Sequence, residues 1–329
     1  SRIGAKDFQV LQRGEQTLYD VLVSPDYLFL IVKELKQSHA FIFLLDIIGR
    51  DTRFKESEND DFEIKYLLLN LENHTRLMVS VKISETEELP SFSPLWSNAA
   101  LLESEVTQGL GTSFRDQAQS PELTSWPEGG FYPLRKDHDC QRAPQAKGHS
   151  ELYFENIYGL NYEERAGKTW YEVGPLHPAT NSGYRLMVEL EGQRICRSKV
   201  EFGLSYRGVE KKCENLSLRF LPDAAEEMSS SLGVSHALTV LHCFEQVLAI
   251  KIPERAKAIR MVFLELERIY EHCLTLSQMC KTIQLVSGWE TFLYCREILE
   301  HLLTKVCGQP YTPKIQRLGG VQYDLDRSW

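Results

Sequence analysis

Long apolar runs are missing from this chain. No stretch of about 18 apolar residues occurs, so no segment is a candidate for a membrane-spanning helix. Paired thiolates are missing too. The eight cysteines stand at 140, 196, 213, 243, 273, 280, 295 and 307, and none forms Cys-x-x-Cys. No other ligand cluster has a spacing that would hold a metal, so an ordinary soluble metalloenzyme is not expected. An excess of positive charge is also missing. The formal net charge is −9, which argues against nucleic acid or an anionic membrane surface as the main partner. Ser1 to Lys6 lead into no signal-like apolar core. The cysteines are therefore expected as reduced thiols of a cytoplasmic protein, several of them packed as small hydrophobes in helices. There is no initiator Met, and the chain stops at Trp329 after a loop-like Asp-Leu-Asp-Arg-Ser, so a fragment of a longer protein is expected.

What is present is an ordinary globular balance. Hydrophobic residues make up 43% and charged residues 25% of 329. That length suits about two domains. The first half reads as α+β. Phe62, Ile64, Tyr66 and Leu68 alternate with Glu63, Lys65 and Leu67, and Leu77, Val79, Val81 and Ile83 alternate with Met78, Ser80 and Lys82. Leu-Glu-Asn-His-Thr-Arg separates them, so an antiparallel hairpin is predicted. Phe41 to Ile48 reads as a strand closed by Gly49. Asp26 to Leu35 and Ala99 to Leu110 read as helices, the second ended by Gly111. Gln, Ser, Pro and Gly then take over, and Trp126-Pro127-Glu128-Gly129-Gly130 breaks any regular element.

The second half opens with strands at Arg185 to Leu190 and Arg194 to Val200, turned at Glu191-Gly192. From Ala224 the period is helical. Pro253 is expected in a first helical turn, with Glu254 near the positive end of the dipole. Ile259, Phe263, Leu266, Tyr270 and Cys273 form one apolar stripe. Phe292, Cys295, Leu299, Leu302 and Val306 form another, ended by Gly308. The division expected is an α+β domain with an antiparallel sheet over 1–140, a linker over 141–165, and a small β entry with a mainly helical bundle over 166–329.

Several strings are more specific than periodicity. Phe43-Leu44-Leu45-Asp46, Phe62-Glu63-Ile64-Lys65-Tyr66, Glu103-Ser104-Glu105-Val106 and, above all, Tyr132-Pro133-Leu134-Arg135-Lys136-Asp137 resemble the C subunit of complex I. Gly174-Pro175-Leu176-His177-Pro178-Ala179, Arg207-Gly208-Val209-Glu210-Lys211, Ile252-Pro253-Glu254-Arg255-Ala256, Leu264-Glu265-Leu266-Glu267-Arg268 and Leu318-Gly319-Gly320-Val321 resemble its D subunit and the large subunit of membrane-bound [NiFe] hydrogenases. The fused order is similar to the large subunit of formate hydrogenlyase.

The resemblance implies a place in a membrane-associated oxidoreductase complex, on the cytoplasmic face. The chain would pack against a small Fe–S subunit, with membrane-embedded subunits nearby, and hold no cofactor itself. A partner-held [4Fe–4S] cluster and a quinone or similar acceptor would lie beside it. Arg207 would face that cluster, Glu210 would start a proton path, and His177 would line the cavity.

This sequence departs from the pattern at telling places. The first nickel thiolate pair falls on Ser229 and Leu232, just before the helix start Ser235-His236-Ala237-Leu238, so a nickel site is not implied. The quinone-site His and Tyr fall on Asn181 and Ser230, two family histidines on Glu201 and Tyr206, and a family Asp on Gln108. Two readings stay open. One is a redox subunit with a polar cavity; the other is a non-catalytic paralogue that couples Fe–S and membrane subunits. Weighed by residue type alone, His236 reads as a capping or packed side chain. His272 with Glu265 and Arg268 reads as an internal polar network. His242, Cys243, Cys273 and Cys280 read as core, and Glu56 to Asp61 as a solvated loop.

Overall fold

The computed structural model describes residues 5–13, 16–53, 61–118, 131–138, 162–165, 168–174, 184–204, 206–229, 232–311 and 313–326. They divide into two compact units. One comprises residues 1–172 with 184–204, the other 173–183 with 205–329. Together they are α+β, strand-rich at the beginning and helical at the end.

The first unit is built on a five-stranded sheet of β1 (Ala5–Arg13), β2 (Gln16–Val23), β3 (Phe43–Asp51), β4 (Phe62–Asn70) and β5 (Thr75–Ile83), in the order β1-β2-β5-β4-β3. The hairpin read from the alternation is there: β4 and β5 pair antiparallel, with Glu63 opposite Lys82 and Leu68 opposite Leu77. Phe62, Ile64, Tyr66 and Leu68 are fully buried on one face. Helix α1 (Pro25–Ser38) places Leu28 and Val32 in the same core, and α2 (Ala99–Leu110) adds Val106 and Leu110. The sheet is antiparallel except where β2 runs parallel to β5. The chain leaves β2 through α1, crosses to the far edge, and returns by the β3-β4-β5 meander.

β3 does not stop at Gly49 as expected. It runs through it to Asp51, with Gly49 opposite Ile64. The glycine serves packing: a Cβ there would meet Leu110 Cδ1 at 2.7 Å and Val106 Cγ1 at 2.9 Å. Its lack of a side chain lets α2 lie close on the strand. Short β6 (Glu88–Pro90) and β7 (Ser113–Arg115) pair in parallel. A second sheet holds β8 (Tyr162–Arg165), β9 (Lys168–Val173), β10 (Arg185–Glu191) and β11 (Arg194–Glu201) in the order β11-β10-β9-β8. The β10–β11 turn is made at Gly192, with φ 61°.

The second unit contains α3 (Val209–Glu214), α4 (Leu221–Glu226), α5 (Val234–Val247), α6 (Glu254–Thr282), α7 (Val286–Cys307), and a small hairpin of β12 (Gln316–Arg317) and β13 (Gly320–Val321). Pro253 stands at the N-cap of α6 rather than inside its first turn. Ile259, Phe263, Tyr270, Leu299 and Leu303 form the core between α6 and α7, and Leu232, Val234 and Ile315 complete it.

Arg260 of α6 locks the hairpin to the helices. It donates to both carboxylate oxygens of Glu245 on α5 at 2.9 and 2.7 Å. It also donates to the Arg317 carbonyl at 2.8 Å and the Gly320 carbonyl at 2.9 Å. The Gly319 amide donates to Glu245 at 2.9 Å. Both side chains of the pair are 3% exposed. Burial works against the charge on Glu245, but Arg260 and the Gly319 amide outweigh it and hold its pKa below the usual carboxylate range. Arg260→Met would leave a buried carboxylate without its cation. The expected loss is about 3–5 kcal/mol of unfolding free energy, measured by chemical denaturation. A change within about 0.5 kcal/mol would show that the pair does not hold the unit together.

Candidate functional site

The turn before α3 carries the two site residues of the resemblance that are described, Arg207 and Glu210. Gly208 caps α3 with φ 60° and ψ 35°, a left-handed conformation that suits glycine. The turn leaves Arg207 exposed on one side and Glu210 exposed in the first turn of the helix. Arg207 is tethered: its Nη1 donates to the Glu227 carbonyl at 2.5 Å. Lys212 Nζ reaches the Glu227 carboxylate at 2.7 Å, and that contact holds the Glu227 pKa below its ordinary value. Lys211 turns inward instead. It is 6% exposed and pairs with Glu214 at 2.8 Å. The basic string thus splits into an exposed cation at 207 and a buried one at 211. His177, Asn181 and Ser230 lie outside the described residues, as do Pro175 to Pro178 and most of the stretch Glu56 to Asp61.

The two positions where the hydrogenase resemblance implies nickel thiolates differ sharply. Ser229 follows α4 and is partly exposed. Leu232 is 3% exposed and packs with Val234, Ile259 and Phe263 in the core. A side chain so placed fills space and offers no donor. The residues do not fit nickel. Among the described residues, no group of three or more His, Cys, Asp or Glu is arranged to hold a metal ion. No helix among them is long and apolar enough to cross a membrane.

Other expectations are corrected. Cys273 and Cys280 are buried as expected, but His242 and Cys243 face solvent on α5. The buried stripe of that helix is Val234, Ala237, Leu238, Leu241 and Glu245, so positions 242 and 243 point away from it. His236 is exposed rather than packed, and it does not cap α5. Glu267 from α6 does so by accepting the Ser235 amide at 3.0 Å. Arg268 and Glu265 form an exposed pair one turn apart on α6 at 3.1 Å, with His272 exposed beside them, not an internal network. Glu201 pairs with Arg185 across β10–β11 at 2.9 Å, and Tyr206 is exposed.

The most specific string of the first unit proves structural. Arg135 Nε donates to the Leu110 carbonyl at the end of α2 at 2.5 Å, and the guanidinium pairs with Glu85 and lies over the Tyr132 and Phe62 rings. The Lys136 amide donates to Asp51 at 2.7 Å, and Asp137 takes a two-pronged contact from Arg53 at 2.9 Å. Leu134 fills the notch beside Gly109.

Sequence reasoning missed a buried polar cluster. Glu226 is 1% exposed, Glu267 7% and Gln316 0%. A signal existed for Glu267: it stands four residues after Phe263, on the stripe that also holds Ile259 and Tyr270.

Comparison with known proteins agrees with the resemblance at a coarse level. Residues 21–144 match the family model for the respiratory-chain NADH dehydrogenase, 30 Kd subunit. The chain is 29% identical to the C/D 2 subunit of NADH-quinone oxidoreductase from Aquifex aeolicus, over 92% of this chain and 55% of that protein. It is 27% identical to the C/D subunit of NADH-quinone oxidoreductase from Pseudomonas paraeruginosa, over 100% of this chain and 58% of that protein. The chain therefore spans little more than half the length of these curated relatives. Among solved structures, a chain of the membrane-bound sulfane sulfur reductase, an archaeal respiratory membrane complex, aligns with 49% of this chain and 90% of its own length. That alignment has 23% identity and a TM-score of 0.36, too low to carry an argument. The chain is thus similar in sequence to C/D-type subunits of NADH-quinone oxidoreductase.

Leu232→Ala tests the packing at the thiolate position. The expected loss is about 2–5 kcal/mol of stability, read from thermal or denaturant unfolding. A loss below about 0.5 kcal/mol would mean that position 232 faces an open cavity.

Proposed function

We propose that this chain is a peripheral subunit of a respiratory membrane complex on the cytoplasmic face, packed against a small [4Fe–4S] subunit, with Arg207 as a fixed cation beside that subunit's cluster. The observation that carries the reading is the tethered, exposed guanidinium on the left-handed Gly208 turn. A partner can approach it closely, and its hydrogen bond goes to the Glu227 carbonyl, while the nearby Glu227 carboxylate, which feels the Arg207 charge, is bonded by Lys212. The C/D-type relatives supply the context. When bound beside this chain, the cluster would exchange electrons with a quinone or similar acceptor. Arg207 would stabilise the reduced, more negative cluster. Glu210, exposed three residues on, would pass protons, and His177, Asn181 and Ser230 would line the cavity. Membrane-embedded subunits complete the proposed assembly.

The second reading, a non-catalytic paralogue that couples Fe–S and membrane subunits, is favoured by one observation: Leu232 fills the core where the hydrogenase resemblance implies a thiolate.

Arg207→Met in the assembled complex separates the two. Losing a cation several ångströms from the cluster is worth about 1 kcal/mol once relaxation and solvent screening reduce the roughly 2–4 kcal/mol expected at an effective dielectric of about 20, or roughly 40 mV for one electron. The cluster's reduction potential, followed by redox titration, should fall by about that much. An unchanged potential in a complex of normal composition would make Arg207 structural and favour the paralogue.

A further inference from the structure

α4 ends in a buried carboxyl group. Glu226 is 1% exposed, and its Oε2 accepts the Lys314 amide at 3.1 Å. Behind it lies Glu267 of α6, 7% exposed, with one oxygen on the Ser235 amide at 3.0 Å and the other, Oε1, buried without a hydrogen-bond partner among the described residues. The connecting backbone at Gly233 lies against Glu226 so tightly that a Cβ would come within 2.1 Å of the Glu226 carbonyl oxygen. Gln316 on β12 is fully buried, and both its side-chain oxygen and nitrogen lack partners among the described residues. Among those residues neither glutamate forms a salt bridge, and the guanidinium of Arg317 on the same strand is taken by Asp223 at 3.1 Å.

Two carboxylates taken from water without a cation are costly to ionise together. The groups that face them from each packed element relieve this only in part. α4 contributes Asp223, a like charge on Glu226, while the β12 approach contributes Lys314, a partial counterweight. Burial raises Glu267, and α5 opposes it with the Ser235 hydroxyl and the Ser235 and Val234 amides, then with His236, all favouring the charged form. α7 contributes the Cys307 thiol, raised to about 11 by burial and by Glu226. Burial first, then the Asp223 and Glu267 charges, against the Lys314 amide, lift Glu226 to about 7.

We propose that Glu226 and Glu267 form an internal proton-binding site that takes up and releases one proton, with the O–H bond forming at Glu226 as hydronium gives its proton and leaves as water. Asp223 and Arg317, partly exposed beside Glu226, mark the side from which that proton arrives. The site sits one residue before the carbonyl that anchors Arg207. Its use, compensating negative charge that arrives near that cation, rests on the reading under Proposed function; the proton site itself does not.

The test is made on the chain alone, so its outcome is independent of the Arg207→Met experiment. Infrared difference spectra of the folded protein should show a protonated-carboxyl C=O band that disappears with a midpoint of about 7. Glu226→Gln, which has the shape of the neutral acid, should abolish the band. Glu267→Gln should move the midpoint down, since a like charge is removed. Thermal unfolding supplies a second measurement. A carboxyl whose folded pKa is raised stabilises the fold below the unfolded value and loses that contribution as pH rises. The wild-type melting temperature should therefore decline between about pH 4.5 and about 7, and Glu226→Gln should flatten that decline. A wild-type chain with no protonated carboxyl below neutrality, or a band and a melting profile unchanged in Glu226→Gln, would overturn the proposal.

Discussion

The second unit depends on one buried guanidinium. Arg260 joins three elements that share no sequence proximity: α5 through Glu245, its own helix α6, and the β12–β13 hairpin through two carbonyls. Desolvating a cation and an anion together is unfavourable, and the geometry offsets it by giving the guanidinium a carboxylate fork and backbone acceptors at once. The consequence is positional. With the hairpin pinned, residues 314–316 run past the end of α4, where the Lys314 amide meets Glu226, and Gln316 is fully buried. An Arg–Glu pair of this kind specifies where a loop goes.

The first unit uses arginines to the same end at its surface. Arg53 bridges Asp51 and Asp137, and Arg135 closes the carbonyl end of α2. Asp51 stays ionised because hydrogen bonds from Arg53 and the Lys136 amide outweigh its burial. The string Tyr132 to Asp137 is therefore distinctive because its residues satisfy the helix end, the glycine notch at 109 and the strand end at 51 together. A motif specific enough to reveal kinship can be silent about chemistry, and here the most specific one in the first half is occupied with holding a segment against its sheet.

The same reasoning explains how much of the fold is legible in the residues alone. The period of two in β4 and β5, and the helical stripes of α6 and α7, reflect one buried face each, so they read directly from sequence. The parallel pairing of β2 with β5 is not legible, because its partners lie more than fifty residues apart and no local pattern encodes the crossing. Gly49 misleads because a glycine required by a neighbouring helix looks, in sequence, like one that ends a strand. His242 and Cys243 mislead when residue type is weighed before helical phase: with Leu238, Leu241 and Glu245 inward, both positions face out. Weighing phase first also exposes Glu267, an acid on a stripe of Ile259, Phe263 and Tyr270.

The candidate site follows the same logic of charge and burial. Where the resemblance implies soft, metal-binding side chains, the chain has a core leucine, so at Leu232 the interior is closed by packing. Where it implies a fixed cation, Arg207 is present, exposed and tethered. A cation at the surface acts on whatever is brought to it, with a strength set by distance and solvent exclusion. It needs no ligand set. It does need a rigid mount, and the mount is the end of α4, where Glu226 reaches inward to the hairpin and the Glu227 carbonyl reaches outward to the guanidinium. Glu226 and Glu227 are successive residues, so a charge change on the buried carboxyl lies within reach of the guanidinium, weakened by the solvent to which Arg207 is open.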